Sequence, residues 1–236
     1  MTCKANPPML SFRSKSRKQL TIALPKGRLL ESVLPILDAA GLKPEDEFFD
    51  KKSRRLEFDT SDPDVGLVPV KPFDVATFVA FGSADMGLVG SDVIHEFAHE
   101  EIYIPVDLKL GHCRLAVAAT PEVADCSIDH LSHLRIATKY PNLTKNFFAQ
   151  KGIQAECVKL NGAIELAPKL NLCPYIVDIV TTGNTLKANG LVEMETILEA
   201  TSRLVVNRNS FKTKSKSINH WVSSFREAVE KTSLAA

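Results

Sequence analysis

The chain has 236 residues, enough to bury a real core in one large or two small domains, and its 44% hydrophobic and 24% charged residues suit an ordinary globular protein. A formal net charge of +1 excludes a general bias toward nucleic acid or an anionic membrane, so anion binding must come from a local cluster. No apolar run approaches the roughly 20 residues of a membrane-spanning helix, and the N-terminus lacks the apolar core of a secretory signal.

Residues 1–19 carry Lys4, Arg13, Lys15, Arg17 and Lys18, several serines and no acid, which predicts a disordered basic tail. An organelle-targeting peptide has the same character, but this stretch is short. From there apolar segments alternate with helical patterns. Thr21–Leu24 reads as a buried strand. A helix follows with Leu30, Val33, Leu34, Leu37 and Ala40 on one face and Gly41 as its stop. Val65–Val70, Met86–Val89 and Ile102–Val106 are further strands, with helices near Asp74–Phe81 and Ser91–His99. A second series places strands at Arg114–Ala119, Arg135–Thr138, Glu156–Leu160 and Tyr175–Val180, with helices near Thr144–Gln150 and Gly162–Leu170. This alternation predicts mostly parallel sheets covered on both faces. Two such series predict two α/β lobes with a ligand cleft between them.

Near the end, Ile218, Trp221, Val222, Phe225, Ala228 and Val229 form one helical stripe that should dock on the body. The flanking Lys212, Lys214 and Lys216 read as a solvated face. Five cysteines, at positions 3, 113, 126, 157 and 173, show no Cys-x-x-Cys spacing and read as reduced thiols in a cytosolic protein.

Three stretches carry chemistry. In Ile176–Leu191 an apolar strand delivers Asp178 and stops at Thr181-Thr182-Gly183-Asn184-Thr185, a small hydroxyl-rich turn that opens into a helix. Backbone N–H groups there, with the Thr182 and Thr185 hydroxyls, can wrap a phosphate, and Asp178 can accept from vicinal ribose hydroxyls. The turn lacks the lysine of a Walker loop, and an ordinary capped strand–turn–helix connection has the same pattern. Lys26-Gly27-Arg28 follows a buried strand at the sheet edge where open α/β folds bind ligands, although cations are disfavoured at a helix start. His95-Glu96-Phe97-Ala98-His99 fits the pattern of zinc peptidases, with two imidazoles one helical turn apart and a glutamate base. That reading lacks a third ligand in any recognisable motif: His112, His130 and His133 are the other histidines ahead of the last helix.

The Ile176–Leu191 run resembles the phosphoribosyl-diphosphate signature of ATP phosphoribosyltransferase. The resemblance extends from about Leu20 to about Phe211. It includes Leu24–Leu30, Gly82–Val93, Asp107-Leu108 through Cys113–Leu115, Ile136–Asn142 and Leu160–Pro168, all in the family's order. It departs at Ala76, where proline is usual, at Asn171, where glycine is expected, and at Cys173-Pro174.

The resemblance implies a hinged two-lobe architecture of the type II periplasmic-binding-protein kind, with residues 20–109 and 196–236 in lobe I and 110–195 in lobe II. A strand at Ser202–Val206 would rejoin lobe I. It implies condensation of ATP with 5-phosphoribosyl 1-diphosphate to N1-(5-phosphoribosyl)-ATP and pyrophosphate, the first step of histidine biosynthesis. Arg28 and Arg54 would be catalytic, Arg54 meeting the departing pyrophosphate. Asp178, Thr181, Thr182, Gly183, Asn184 and Thr185 would bind the phosphoribosyl diphosphate. Lys26, Arg28, Arg55, Lys71 and Glu165 would serve ATP or phosphate. Mg²⁺ is the implied cofactor, with no protein ligand set for it read from sequence. The chain resembles the short form of the family, a cytoplasmic homodimer that works with a histidyl-tRNA-synthetase-like regulatory subunit. A pure binding module on the same fold and the zinc peptidase are the competing readings.

Overall fold

A computed structural model describes residues 18–126, 128 and 131–234. In chain order the first part runs β1 (Leu20–Pro25), α1 (Arg28–Ala39), a 3-10 turn at Asp46–Phe49, β2 (Phe58–Asp59), β3 (Val65–Val70), α2 (Pro72–Ala80), β4 (Met86–Gly90), α3 (Ser91–Phe97) and β5 (Ile102–Asp107). The second part runs β6 (Cys113–Ala119), α4 (Pro121–Ala124), β7 (His133–Thr138), α5 (Pro141–Gln150), β8 (Gln154–Lys159), α6 (Leu166–Lys169), β9 (Tyr175–Val180), α7 (Asn184–Ala188) and β10 (Val192–Ala200). β11 (Ser202–Asn207), α8 (Arg208–Thr213) and α9 (Ser215–Leu234) complete it.

Two sheets result, in the orders β2-β3-β1-β4-β11-β5 and β10-β6-β9-β7-β8. They are mixed rather than mostly parallel. β1 runs parallel to β3 and β4, and β7 parallel to β8 and β9, whereas β11, β6 and β10 pair antiparallel with their neighbours. Apart from β2, which pairs antiparallel with β3 at the far edge of the first sheet, the antiparallel strands are those next to the two crossings between the sheets, where the chain leaves one lobe and doubles back into the other. The crossings bond to each other, with Leu108 N donating to Ser202 O at 3.0 Å and Ser202 N to Leu110 O at 2.8 Å.

β10 was not visible in the sequence as a strand. Val192–Ala200 carries Glu193, Glu195 and Glu199, and its pairing with β6 shifts register between Glu193 and Glu195 and again between Thr196 and Leu198. Those irregularities break the alternation that marks a half-buried strand. The change of sheet therefore falls at Thr201, a few residues beyond the boundary expected at 195–196.

Each sheet buries both faces. On the first, Leu20, Ile22, Leu24, Leu67 and Val206 pack against α1 and α9, where Ile218, Phe225 and Ala228 are fully buried. The stripe read in sequence for the last helix is the face that docks. Its flank is not all solvated, because Lys214 Nζ reaches the buried Asp85 at 2.8 Å. On the other face α2 and α3 cover Ala23, Val89 and Val205. In the second sheet Leu115, Val117 and Ile136 pack with Phe148 of α5, and Ala116, Ala137 and Ile176 with Leu186 of α7.

Of the expected basic tail, residues 1–17 lie outside the described residues. Lys18 is anchored, its Nζ 2.8 Å from Asp59 and donating to Pro63 O. Among the described residues no helix is long and apolar enough to cross a membrane.

Candidate active site

The strands stop where chemistry can begin. A cavity of about 750 Å³ lies between the lobes, lined by segments that follow the C-terminal ends of β1, β4, β7, β8 and β9 and by the first crossing. Open α/β sheets bind ligands at this edge because the strands end there and helix starts turn their N–H groups toward it.

From the second lobe, Asp178, Thr181, Thr182, Gly183 and Thr185 line this cavity together with Glu165. Gly183 holds φ 77 at the N-cap of α7, a left-handed conformation that glycine adopts without steric penalty, and no side chain caps that helix. The Thr182 hydroxyl accepts only a long bond from Asn184 N at 3.4 Å, and Arg114, clamped by Glu193, braces Thr181 O at 3.5 Å. Burial pushes the Asp178 carboxyl up to about 6, against a hydrogen bond from the backbone N–H of Ile179; Glu165 raises it further and Lys139 opposes.

From the first lobe Arg28 enters the same cavity beside Leu29 and Ser32. The other basic residues picked out in the sequence stand elsewhere. Lys26 and Lys71 are exposed next to the cleft without lining it, and Asn184 is likewise off the lining. Arg54 is exposed on the loop before β2. Arg55 is held on the surface by Glu45 at 3.0 Å and Glu47 at 2.7 Å, with its guanidinium over the Phe58 ring.

The cavity also contains residues that the sequence reading passed over. Asp92 borders it from the first turn of α3, beside Gly90, where any Cβ would collide with Asp92 Oδ1. Tyr140 donates to Asp92 Oδ2 at 2.7 Å across the lobes, and burial, then the Asp92 charge, drives its phenol far upward. Lys139 lies 4.4 Å over the Phe73 ring. The available signal was position: Lys139-Tyr140 follows a buried strand just as Lys26-Gly27-Arg28 does. Cys113 lines the cavity with a thiol pushed up to about 11, chiefly by burial, so it is no thiolate nucleophile. Ser202 Oγ, at the second crossing, also borders the cavity; it is the buried side-chain polar atom without a partner among the described residues.

The zinc-peptidase reading fails on local geometry. α3 ends at Phe97 and Ala98 turns left-handed at φ 47, so His99 leaves the helix that would have aligned it with His95. His99 stacks on Phe97 at 5.3 Å and its Nδ1 accepts from Glu101 N. Nor is this a surface helix, because Ser91, Asp92, Val93, Ile94 and Glu96 are buried. Among the described residues no three His, Cys, Asp or Glu side chains gather as a metal cage.

Two mixed α/β lobes around an anion-ready turn define a type II periplasmic-binding-protein-like fold. An alkanesulfonate-binding protein, SsuA from Xanthomonas axonopodis pv. citri bound to MOPS, shares that fold with a TM-score of 0.52 at 13% identity, over 91% of this chain and 74% of its own. The model of the ATP phosphoribosyltransferase family (HisG) matches residues 71–227. The ATP phosphoribosyltransferase of Rhodospirillum rubrum is 55% identical over 213 residues, covering 90% of this chain and 94% of that protein. That of Gluconobacter oxydans is 48% identical over 220 residues, 93% and 90% respectively. The structure of the ATP phosphoribosyl transferase (HisG:HisZ) complex from Thermotoga maritima gives a TM-score of 0.76 at 32% identity over 90% of this chain and 99% of the matched one. The chain belongs to the ATP phosphoribosyltransferase family. It is a phosphoribosyl-transferring enzyme that joins ATP to 5-phosphoribosyl 1-diphosphate in the first step of histidine biosynthesis.

Proposed function

We propose that the β9–α7 turn holds the 5-phosphoribosyl group while Arg28 addresses substrate phosphates from the opposite wall. The observation that carries this reading is that Asp178, the 181–185 turn and Arg28 border one cavity although they come from different lobes. In this arrangement the Thr182 and Thr185 hydroxyls and the turn's N–H groups receive the 5-phosphate, and Asp178 accepts from the ribose hydroxyls. Glu165 and Lys139 flank that carboxylate. Lys26 and Lys71, exposed at the cleft margin, add positive potential for the polyphosphates, with Arg55 farther out on the surface.

Adenine N1 is a weak nucleophile, so cleavage at the anomeric carbon runs ahead of attack. The sugar gains oxocarbenium character while negative charge grows on pyrophosphate. A guanidinium fork suits that leaving charge. Arg28 is placed to meet it directly. Arg54 stands outside the lining, so its part requires the loop before β2 to swing over the cleft. No acid–base pair is needed, and alignment of the two substrates supplies much of the rate.

The donor set fits Mg²⁺ delivered with substrate. Asp178 and Glu165 are cavity carboxylates, the third, Asp92, is engaged by Tyr140, and among the described residues no three acidic side chains gather as a cage. Mg²⁺ characteristically takes one or two carboxylates, waters and phosphate oxygens. When bound, the ion would neutralise charge developing on pyrophosphate.

The assembly follows the short form: a cytoplasmic homodimer that joins a regulatory subunit similar to histidyl-tRNA synthetase. Support comes from the near-complete overlap with the matched chain of the Thermotoga HisG:HisZ complex. The division into lobe I (20–109 and 196–236) and lobe II (110–195), with the second boundary moved to Thr201, gives the hinge on which the cleft is built. Incubation with ATP, 5-phosphoribosyl 1-diphosphate and Mg²⁺ should generate the N1-substituted adenine chromophore, lost in Asp178→Ala. Wild-type turnover in that variant would remove the turn from the site.

A further inference from the structure

The stretch that mimics a zinc grip puts its central carboxylate between the lobes. Glu96 is 6% exposed. Its Oε1 accepts from Asn142 N at 3.0 Å and its Oε2 from Leu143 N at 2.9 Å. The Glu96 carbonyl also accepts from Asn142 Nδ2 at 3.1 Å. α5 opens with Pro141 and has no side-chain cap from its own neighbourhood, so its cap comes from the other lobe. Two consecutive N–H groups on two oxygens fix distance and orientation together, and the helix dipole favours the negative charge. One turn earlier on α3, Asp92 receives the Tyr140 hydroxyl. Phe73 packs against the cores of both lobes, with its ring 5.3 Å from Tyr140. The corner held by this clasp is Lys139-Tyr140, and both side chains line the cleft.

We infer that Glu96 is a positioning residue for phosphoribosyl transfer: it pins the start of α5 to the first lobe and so sets Lys139 and Tyr140 against the substrates. This rests on the cleft being the reacting site. Glu96 touches no substrate and acts through the N–H groups of Asn142 and Leu143. A buried carboxylate pulled off those groups would be left unsatisfied, so lobe motion pivots at the α3–α5 contact rather than opening there.

Glu96→Gln keeps the side chain's size but turns an amide NH₂ toward one backbone N–H. In the full chain the expected result is a fall in kcat of about tenfold, KM for both substrates within about threefold of wild type, and faster hydrogen exchange at the Asn142 and Leu143 amides. Should that variant fail to fold, Asn142→Ala removes only the bond to the Glu96 carbonyl. It should lower kcat by about two- to threefold with the same pattern in KM. Wild-type kcat in a folded Glu96→Gln protein, or a rise in KM with kcat intact, overturns the inference. With Asn142→Ala as the fallback, unchanged kcat overturns it. Absence of turnover in the wild-type chain would strike the cleft assignment instead, and the exchange measurement would still report on the clasp.

Discussion

Asp178 and Glu165 border the same cavity from β9 and from the turn before α6, and the charge on Glu165 adds to burial in holding the Asp178 carboxyl up at about 6. Free enzyme should therefore bind phosphoribosyl diphosphate less well as pH falls through about 6, where the acceptor becomes protonated. Asp178→Asn should raise KM for that substrate more than for ATP and flatten this acid limb. Equal losses for both ligands would count against contact with the ribose hydroxyls.

The same shift has a stability sign. A carboxyl whose folded pKa is raised stabilises the fold only while protonated, below its ordinary value of 3.8, and that contribution is lost as pH rises through about 6. Asp178→Asn should then raise stability at pH 8 by on the order of 1–3 kcal/mol, with the gain shrinking toward pH 4. Denaturant melts at the two pH values measure it. No gain at pH 8 would mean the carboxylate is solvated in the free protein.

Thr182→Val and Thr185→Val keep side-chain shape and remove one hydroxyl each. Each should raise KM for phosphoribosyl diphosphate roughly tenfold, the scale of a hydrogen bond to a charged group. Steady-state kinetics with unchanged constants would take the hydroxyls out of the site.

Arg54→Ala should lower kcat by about tenfold or more and leave KM nearly unchanged, because charge on pyrophosphate appears only as the bond breaks. Single-turnover and steady-state rates separate the two effects. A pure affinity loss would demote Arg54 to a binding group.

Asp85 is buried and accepts from Thr21 N at 2.9 Å, Ser210 Oγ at 2.7 Å and Lys214 Nζ at 2.8 Å, tying the α8–α9 junction to β1. Lys214→Ala leaves that carboxylate with its charge uncompensated. The midpoint in urea should drop by the equivalent of about 3 kcal/mol, and a loss under about 1 kcal/mol would class the pair as an ordinary surface bridge.

Local pattern carried the strands at Thr21–Leu24, Met86–Val89 and Tyr175–Val180, because buried apolar runs bounded by Gly, Pro and polar turns have little other use. It carried the docking face of α9 through residue spacing. It could not show β10, whose bulges erase alternation, or α6, which is one turn rather than the helix expected over Gly162–Leu170. The phosphoribosyl turn was legible because its parts are contiguous. Asp92 was not, since only tertiary contact brings α3 to the start of α5, and Lys139 and Tyr140 offered no more than their place after a buried strand. Glu96 was legible as chemistry of the wrong kind: its neighbours fit a metal motif until Ala98 turns the chain left-handed.

The isolated chain should sediment as a homodimer with basal activity and little response to histidine. Addition of the cognate regulatory subunit should raise turnover and confer histidine inhibition. Tight, saturable inhibition of the chain alone would sink this expectation.

β11 fills the slot between β4 and β5 in the first sheet, yet it is synthesised only after all of residues 113–200. On the ribosome the N-terminal sheet must wait with the place beside β4 empty and β5 unattached, while the later lobe, continuous in sequence, completes its own hydrogen bonding first. Translation thus inverts the spatial hierarchy: the inserted lobe matures before its host. A pause or truncation before Ser202 would release a chain with unpaired edges on β4 and β5, the species on which chaperones and proteases would act.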